Sequence, residues 1–382
     1  MDTPDPRPLL REARLHCPIG VSAPLGLDPR PRYNVTRWDD VKQVLEDPET
    51  FSSAVCAESL DPFMGESILG LDGQAHRFQR GIVAHAFRTS ALDRWEEELI
   101  GPIITDLLDA VAPRGRCDLR SEVLIKFPVR VICGMYGVPL EDAGQFQQWT
   151  DDVIHGIYNP EPAFAAKAAM RAYLQPILDD RRTNPRDDLF SDLLKPSADG
   201  RTLTEEQIWG TLALNLVGGT DTTYHGFGSM LFGILSRPDL YRAVAEDRSL
   251  IPELVEEALR WEAPAQRAER ITTRDTTVGG CPIPAGSSIN VWLGSANRDE
   301  ARFESSDEMQ LGRSGRRHMT FGYGPHQCLG IHLARRELRV GLAAVLDALP
   351  NLRFDPDQPT PELVGTLLRG PSTLPVVWDP RP

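Results

Sequence analysis

Apolar residues recur at helical spacing along most of this chain. Between 90 and 183 the spacing of residues such as Leu92, Trp95 and Leu99 predicts a series of helices. Strand-like segments are short and bounded by turn residues, at 32–36, 276–286 and 369–378. We therefore expect a mainly α fold with a smaller β-rich part.

Two segments lack a clear period. The first 30 residues are rich in proline, and we expect them to form an irregular N-terminal segment. Residues 51–73 mix glycines, serines and scattered large apolar side chains, a composition typical of a surface loop. Because no internal repeat divides the rest, we expect residues 31–382 to form a single domain around one core.

One predicted helix is long enough to cross that domain. Residues 204–207, Thr-Glu-Glu-Gln, have the sequence of a capping box, with Thr204 as the N-cap residue and Gln207 reaching back to it. The apolar run that follows continues to about Ser236, just before Pro238. At 1.5 Å per residue such a helix is roughly 50 Å long.

The centre of this predicted helix has an unusual composition for a helix interior. Residues 218–223, Gly-Gly-Thr-Asp-Thr-Thr, place two helix-weakening glycines beside a carboxyl group and hydroxyls in an apolar segment. Glycine lets a ligand approach the backbone, and buried polar groups need a partner such as water or a bound molecule. The alternative interpretation is a solvated polar kink.

A glycine-rich turn near the C-terminus presents a cysteine. Residues 321–330, Phe-Gly-Tyr-Gly-Pro-His-Gln-Cys-Leu-Gly, precede a predicted helix that runs from about Leu329 to Leu346. Glycines at 322, 324 and 330 permit a tight turn of bare backbone that brings Cys328 to the start of this helix. There the helix dipole and free N–H groups should favour the thiolate form.

A lone cysteine is more often a small buried hydrophobic residue than a ligand. A thiolate at a helix start, however, is what a metal ion needs. No second Cys or His lies at zinc-binding spacing from Cys328, so another group would have to hold most of the metal. A haem, whose ring supplies four nitrogen ligands to its iron, meets this requirement.

The pattern Phe-x-x-Gly-x-x-x-Cys-x-Gly, at Phe321, Gly324, Cys328 and Gly330, resembles the haem-binding loop of the cytochrome P-450 family. The resemblance extends over roughly residues 30–378. It implies the fold of that family, in which a long central helix crosses over the haem. It also implies that the cofactor is haem b, iron protoporphyrin IX, that Cys328 binds the iron, and that the other three residues contact the cofactor.

The resemblance implies further cofactor contacts. His76 and Arg80 share one helix face at i, i+4 spacing, which taken alone is more often a solvated surface. They match the His-x-x-x-Arg with which the family holds the haem carboxylates. Arg270 and His326 match two further carboxylate-binding positions, and Gly219 belongs to the matching helix centre.

The Gly-Gly-x-Asp-Thr pattern at the centre of the long helix also resembles the family. It implies that Asp221 and Thr222 supply protons for the activation of dioxygen, because a dry apolar pocket offers no other source. Glu257 and Arg260, at i, i+3 spacing on a helix predicted over 251–261, match the family's buried Glu-x-x-Arg ion pair. That pair is structural.

In the family, the loop equivalent to 51–73 roofs the substrate pocket, and a cover lies at the position of 149–158. The residues that we expect to line the pocket are all apolar: Phe63, Ile68, Leu69, Ile154 and Leu214.

Composition narrows the choice of partners. A net charge of −14 and a pI near 5.1 argue against nucleic acid. No signal peptide and no membrane anchor is signalled, and six scattered cysteines suit a reducing compartment, so we expect a cytoplasmic protein of the soluble bacterial type.

Basic residues nevertheless cluster in sequence around Cys328: Arg313, Arg316, Arg317, Arg335, Arg336 and Arg339. They form either an ordinary solvated face or a docking site for an acidic electron donor.

The function that the resemblance implies is monooxygenation of a small apolar organic substrate, by hydroxylation or O-dealkylation with O2. Electrons would come from an external donor, because no G-x-G-x-x-G motif follows a strand. That donor would be a ferredoxin with its reductase or a flavin/iron–sulfur reductase. A peroxide-driven peroxygenase would have lost the acid–hydroxyl pair, and a haem docking module without turnover would have a damaged helix centre; this sequence shows neither change.

Overall fold

Helices make up most of the part of the chain that the computed structural model describes, which is residues 5–22, 30–313 and 317–379. The α-helices are α1 Arg7–His16, α2 Trp38–Glu46, α3 Ala54–Met64, α4 Gly73–Ala86, α5 Thr89–Trp95, α6 Gly101–Val111, α7 Lys126–Tyr136, α8 Ala143–Ile154, α9 Pro160–Thr183, α10 Leu189–Leu193, α11 Glu205–Leu235, α12 Pro238–Glu246, α13 Ile251–Trp261, α14 Leu293–Ala296 and α15 Ile331–Ala348. No helix in these ranges is both long and apolar enough to cross a lipid bilayer.

The strands are short, each of two to five residues. They are β1 Ile19–Ser22, β2 Arg32–Val35, β3 Phe51–Ser52, β4 Arg116–Asp118, β5 Ala268–Thr272, β6 Thr276–Val278, β7 Cys281–Ile283, β8 Ser288–Val291, β9 Arg353–Phe354, β10 Leu363–Val364, β11 Gly370–Pro371 and β12 Pro375–Val377. The largest sheet has the order β1-β2-β8-β5-β3, in which β2 and β8 are parallel and the other pairs antiparallel. The predicted hairpin at 276–286 is confirmed as β6 and β7.

The long helix α11 is confirmed, together with its capping box. Thr204 Oγ1 accepts a hydrogen bond from the Gln207 N–H at 3.2 Å, and Gln207 Oε1 accepts one from the Thr204 N–H at 3.1 Å. The helix has 31 residues and packs against α7, α8, α13 and α15. It is therefore the central support of the larger hydrophobic core, while a second core lies between the five-stranded sheet and α2.

The expectation of an irregular N-terminal segment is wrong within residues 5–22, which contain α1 and β1. Pro6 and Pro8 lie at the start of α1, where an N–H group has no partner within the helix in any case. Leu10 and Arg14 are buried, and Arg14 donates to Ser295 Oγ at 3.0 Å. Residues 1–4 and 23–29, also covered by that expectation, lie outside the described residues.

The expected surface loop at 51–73 is also wrong in part, because α3 occupies its middle. Pro62 lies near the C-terminal end of this helix, where it disturbs few hydrogen bonds. Val55, Cys56 and Phe63 are buried, and α3 packs against β5, α9 and α11. Tertiary contacts thus stabilise a helix whose local sequence has little helical periodicity.

Candidate active site

The cysteine loop between residues 321 and 330 closes on itself through backbone contacts. Gly322 and Gly324 have φ angles of +70° and +69°, which favour glycine. A Cβ at Gly324 would lie 2.4 Å from the Leu45 carbonyl oxygen of α2, so this position has no room for a side chain. The Cys328 N–H donates to the Phe321 carbonyl at 2.8 Å. The turn therefore holds the cysteine in one place.

Gly330 plays a different part from the one expected. Its φ angle is −79°, so the turn does not require glycine there. A Cβ at Gly330 would instead lie 3.9 Å from Cys328 Sγ. The bare backbone at this position leaves space beside the sulfur atom.

The surroundings of Cys328 disfavour the thiolate form. Its side chain is accessible, yet burial is the largest influence on its thiol and raises its pKa. The Gly330 N–H, Arg80 and Arg335 act in the opposite direction without overcoming the effect of burial. Our expectation that the helix start favours the thiolate is therefore wrong for the protein alone. The reason is that burial penalises the charged form of the thiol more than the Gly330 N–H at the helix start and the two arginines favour it.

The centre of α11 also has accessible backbone. Gly218 is exposed, although most of the helix around it is buried. A Cβ at Gly219 would lie 3.0 Å from Ile132 Cδ1, so this glycine packs closely against α7. The Thr222 hydroxyl donates to the Gly218 carbonyl at 2.6 Å, one turn earlier on the helix. Thr222 thus places a hydroxyl beside the accessible part of the helix.

Asp221 is buried, and within the described residues its Oδ1 has no hydrogen-bond partner. Burial, followed by repulsion from Asp151, raises its pKa to about 7, against the smaller effects of Gln147 and Arg120. Sequence reasoning missed these three neighbours. Gln147 and Asp151 have i, i+4 spacing on α8 and are joined by a 3.0 Å hydrogen bond, a polar pair that could have signalled their role.

His76 and Arg80 lie on α4, as their spacing predicts. His76 is buried, its Nε2 has no partner within the described residues, and its ring packs at a tilt against that of His326, with the ring centroids 4.1 Å apart. Burial and the nearby His326 and Arg80 lower the pKa of His76 to about 4. Arg80 donates to the Gln327 carbonyl at 2.6 Å, directly before the cysteine.

His326 is held by residues that sequence reasoning missed. Its Nε2 lies 3.1 Å from Asp72 Oδ1 and 3.2 Å from Ser53 Oγ. Burial opposes the ionisation of Asp72, but hydrogen bonds from His326, Ser52 and the Ser53 N–H lower its pKa overall. Asp72 directly precedes α4, a position where an acidic residue is ordinarily read as a helix cap.

Arg270 is buried on β5. Its only hydrogen bond to a described residue runs from Nη1 to the Glu269 carbonyl at 2.7 Å. Burial lowers its pKa, with Cys56 and Asp72 acting in the opposite direction. A buried guanidinium with free donors needs an anion, and the Nε2 atom of His76 needs a partner as well.

These residues fit a haem. The accessible sulfur of Cys328 suits its iron, the bare backbone at Gly218 and Gly330 leaves room for a flat ring, and Arg270 and His76 offer donors for its carboxylates.

The five expected pocket residues lie on or beside α3, α8 and α11. Leu214 is one turn from Gly218, and its Cδ1 would lie 4.0 Å from a Cβ there. The Phe63 ring lies 5.1 Å from that of Phe164, beneath the loop between α8 and α9. Ile154 is the half-buried last residue of α8. Ile68 is buried and Leu69 half-buried in the segment after α3.

Glu257 and Arg260 form a buried bidentate ion pair, with both hydrogen bonds at 2.8 Å. Arg260 also donates to the carbonyl groups of Asn297, Ser306 and Glu308. Arg313 donates to the same Glu257 carboxylate at 3.1 Å. The pair thus connects α13 to the segment that leads to the cysteine loop.

A cysteine in a glycine turn, a long helix with a polar centre, and a buried histidine and arginine whose donors are not all used by the described residues are together the features of a haem-thiolate protein. Residues 14–374 match the profile of the cytochrome P450 family, and the chain belongs to that family.

Its relatives include the steroid C26-monooxygenase of Mycolicibacterium smegmatis, 32% identical over 90% of this chain and 87% of that protein. The nocardicin C N-oxygenase of Nocardia uniformis is 35% identical over 94% of this chain and 92% of that protein. Among solved structures, CYP109Q5 from Chondromyces apiculatus superposes with a TM-score of 0.90 at 32% identity, covering 99% of this chain and 96% of that one. CYP109E1 from Bacillus megaterium in complex with testosterone gives 0.88 at 29% identity, covering 98% and 99%.

The expected fold and class of function are therefore confirmed. The protein is a haem monooxygenase that uses O2, an organic substrate and a redox partner. The comparisons give no support to a peroxygenase or to a docking module.

Proposed function

We propose that the cofactor is non-covalently bound haem b, with Cys328 as its iron ligand. No Cys-x-x-Cys-His sequence for covalent attachment is present in the chain. His76, Arg80, Arg270 and His326 are assigned to the haem carboxylates. In support, these side chains converge near the cysteine loop, and two of them retain free donors.

Phe321, Gly219, Gly324 and Gly330 are assigned to the walls of the haem site. Gly330 keeps the backbone beside the sulfur free of a side chain, Gly324 leaves room for the α2 backbone at Leu45, and Gly219 lets α11 pack against α7. The half-buried Phe321 ring packs beneath the Arg335 guanidinium, 5.1 Å from it.

Bound haem supplies the iron at which O2 is activated, so that one oxygen atom enters the substrate and the other leaves as water. Asp221 and Thr222 are assigned to the supply of the protons that this reaction consumes. A pKa of about 7 lets the Asp221 carboxyl both hold and release a proton near neutral pH. The Thr222 hydroxyl, beside the exposed backbone of Gly218, can pass that proton on.

The substrate that we propose is a small, largely apolar molecule, oxidised by hydroxylation or O-dealkylation. Phe63, Ile68, Leu69, Ile154 and Leu214 are the residues assigned to its pocket. Leu214, one turn before Gly218, supports an apolar surface close to the reacting end. The testosterone complex of CYP109E1 and the steroid C26-monooxygenase provide examples of apolar substrates among similar proteins.

The proposed electron donor is an acidic protein, either a ferredoxin that works with its reductase or a flavin/iron–sulfur reductase. A groove of ≈400 Å³ on the cysteine side of the molecule suits such a donor, and we call it the basic groove. Its lining includes Phe87, Leu92, His332, Arg335, Arg336 and Arg339. Of the arginines grouped in the sequence, Arg316 lies outside the described residues, and Arg313 is used in the ion pair with Glu257.

The observation that carries the proposal is the state of Cys328: its side chain is accessible, while the burial of its surroundings raises the pKa of its thiol. The test is the spectrum of the purified, reduced holoprotein under carbon monoxide. We expect the Soret band of a thiolate-ligated haem, its loss in Cys328→Ser and its retention in Cys281→Ser, a change at a distant free cysteine. Wild-type protein without that band would overturn the assignment of Cys328. Turnover with peroxide as efficient as with reductase and NAD(P)H would overturn the dependence on an external donor.

A further inference from the structure

Two polar pairs with the same spacing follow each other on α8. Gln147 Nε2 donates to Asp151 Oδ1 at 3.0 Å, and Gln148 Nε2 donates to Asp152 Oδ1 at 3.1 Å. Successive residues of a helix differ in direction by about 100°, so the two pairs have different surroundings. The hydrogen bond of the first pair is partly buried and that of the second is exposed. The first pair belongs to the contact of α8 with α11.

Both members of the first pair act on the Asp221 carboxyl of α11. Burial has the largest effect in raising the pKa of Asp221, repulsion from Asp151 adds to it, and hydrogen bonding by Gln147 opposes both. The Gln147 amide is therefore within reach of two carboxyl groups. Because like charges repel strongly in buried surroundings, a proton held on one of these carboxyl groups stabilises the contact.

Three buried polar atoms at this contact have no hydrogen-bond partner within the described ranges. They are Asp221 Oδ1, Gln147 Oε1 and Arg120 Nε. Arg120 precedes α7, and its guanidinium lies over the ring of Tyr224, 5.4 Å from the ring centroid and three residues after Asp221 on α11. Buried donors and acceptors of this kind are ordinarily bridged by ordered water. Groups that can hold a bridging water therefore come from three separate segments.

The outer end of this polar contact reaches the surface. Asp151 is half-buried, whereas Asp221 is only 4% exposed. The exposed His155 ring lies one turn further along α8, with Nδ1 2.7 Å from the Asp151 carbonyl oxygen. Burial raises the pKa of Asp151, against the effects of Gln147 and His155. Asp151 can therefore exchange protons with solvent, to which Asp221 has little access.

We propose that protons from solvent return to Asp221 through Asp151, and that Gln147 orients the two carboxyl groups for this transfer. A proton leaves the Asp151 carboxyl for a bridging water molecule, and that water gives a proton to the Asp221 carboxylate. Asp151 then takes a proton from solvent, which restores the starting state. The inference rests on the proposed function, in which Asp221 gives up a proton, and it adds two positioning residues that act through Asp221.

The first test needs neither substrate nor electron donor. Thermal unfolding midpoints of the holoprotein are measured over a pH series for four proteins: wild type, Asp221→Asn, Asp151→Asn and the double variant. Asp221→Asn should gain stability with rising pH until Asp221 is ionised in its parent protein. Since Asp151→Asn removes a repulsion and lowers the pKa of Asp221, this gain should level off at a lower pH when Asp151 is replaced. Arg120, the other charged neighbour of Asp221, is the same in all four proteins. An identical profile in both backgrounds would overturn the inference.

The second test measures proton delivery while a ferredoxin and its reductase supply electrons from NAD(P)H. It is run without added substrate and with testosterone as a probe. In Asp151→Asn we expect the formation of water or product to fall by about tenfold, with more hydrogen peroxide per NAD(P)H and a larger solvent deuterium isotope effect. Asp151→Glu keeps a carboxyl group and should recover part of each quantity. Gln147→Leu, which leaves both carboxyl groups in place, should change them in the same direction but less, and it serves if Asp151→Asn does not fold.

Asp152→Asn is the matched control, because Asp152 has the same bond to a glutamine four residues earlier but on the exposed side of α8. It should keep the wild-type peroxide ratio and isotope effect. The inference is overturned if Asp151→Asn behaves like Asp152→Asn while Asp221→Asn changes both quantities. If Asp221→Asn also changes neither, the role of Asp221 in the proposed function fails as well. The carbon monoxide spectrum of each preparation shows that thiolate-bound haem is present.

Discussion

At the centre of α11, Asp221 and Thr222 are adjacent but differ in their surroundings. The carboxyl is buried and lacks a partner for Oδ1 among the described residues, while the half-buried hydroxyl bonds to the carbonyl of Gly218. In the function that we propose, the carboxyl stores a proton and the hydroxyl delivers it. Each can be removed separately.

Replacing Thr222 by alanine should uncouple electron use from product formation. Because the hydroxyl beside Gly218 is lost, we expect product formation to fall by about 10- to 100-fold and the released hydrogen peroxide to rise relative to product. The measurement is the ratio of peroxide and product to NAD(P)H consumed. Thr222→Ser keeps the hydroxyl and should keep the coupling. Wild-type coupling in Thr222→Ala would remove the role that we assign to this residue.

Replacing Asp221 by asparagine should change how stability depends on pH. The folded pKa of about 7 lies above the ordinary aspartate value of 3.8, so folded wild-type protein keeps a proton that the unfolded chain releases. The contribution of protonated Asp221 to the free energy of unfolding is therefore fully present below pH 3.8 and is lost as the pH rises to about 7. Asp221→Asn has no titrating carboxyl group at this position and does not undergo this loss. At 1.36 kcal/mol per pKa unit the variant gains up to about 4 kcal/mol.

Thermal unfolding midpoints from pH 5.5 to 8 measure this effect. The difference between Asp221→Asn and wild type should widen as the pH rises and level off above about 7. Asp109→Asn, at an exposed position on α6, should follow the wild-type profile. A difference that is constant with pH would contradict the perturbed titration of Asp221.

At the scale of elements, α13 is connected to the segment before the cysteine loop by one buried carboxylate. Glu257 receives hydrogen bonds from Arg260 and Arg313, and Arg260 also binds three carbonyl groups of the segment 297–308. This segment contains no named helix or strand after α14. Side-chain hydrogen bonds, rather than regular backbone pairing, therefore hold it in place.

Glu257→Gln should be strongly destabilising, because it removes the charge of the carboxylate to which the buried guanidinium groups of Arg260 and Arg313 both donate. We expect a loss of about 3–5 kcal/mol in the free energy of unfolding, with poorer haem retention. Urea unfolding and haem content per chain are the measurements. Glu246→Gln, at the exposed end of α12, should stay within about 0.5 kcal/mol of wild type. A small effect at Glu257 would show that the ion pair is not needed for the fold.

At the scale of the whole molecule, an acidic protein carries a basic groove. The net charge is −14, and within the groove Arg335 pairs with Glu256 while Arg336 pairs with Asp93 and Glu96. Arg339 has no carboxylate partner in the described ranges and donates only to the Arg335 carbonyl. Its charge is therefore available to an incoming acidic donor.

Arg339→Glu should slow electron delivery from an acidic ferredoxin by about tenfold at low ionic strength, and it should weaken the dependence of that rate on salt. Stopped-flow reduction over a salt series measures both effects. Arg242→Glu is a matched control, because this exposed helical arginine also donates to the carbonyl four residues earlier. Equal effects of the two changes would point to overall charge rather than to docking at the groove.

The long helices, the capping box, the hairpin and the cysteine turn could be predicted because each depends on neighbours within a few residues. Cys328, Thr222 and the pair of Glu257 and Arg260 could be named for the same reason. The helix α3 could not, because its stability comes from packing against β5, α9 and α11. The neighbours Gln147 and Asp151 reach Asp221 only through the packing of α8 on α11.

The sequence by itself determined which residues have special chemistry, since the identity and spacing of glycine, cysteine, carboxyl and hydroxyl groups are local properties. Only the tertiary structure decided the state of those groups. Burial is a sum over distant segments, and it raises the pKa of the Cys328 thiol despite its position before a helix. The same kind of long-range packing brings Gln147 and Asp151 of α8 to Asp221, which the local sequence does not indicate.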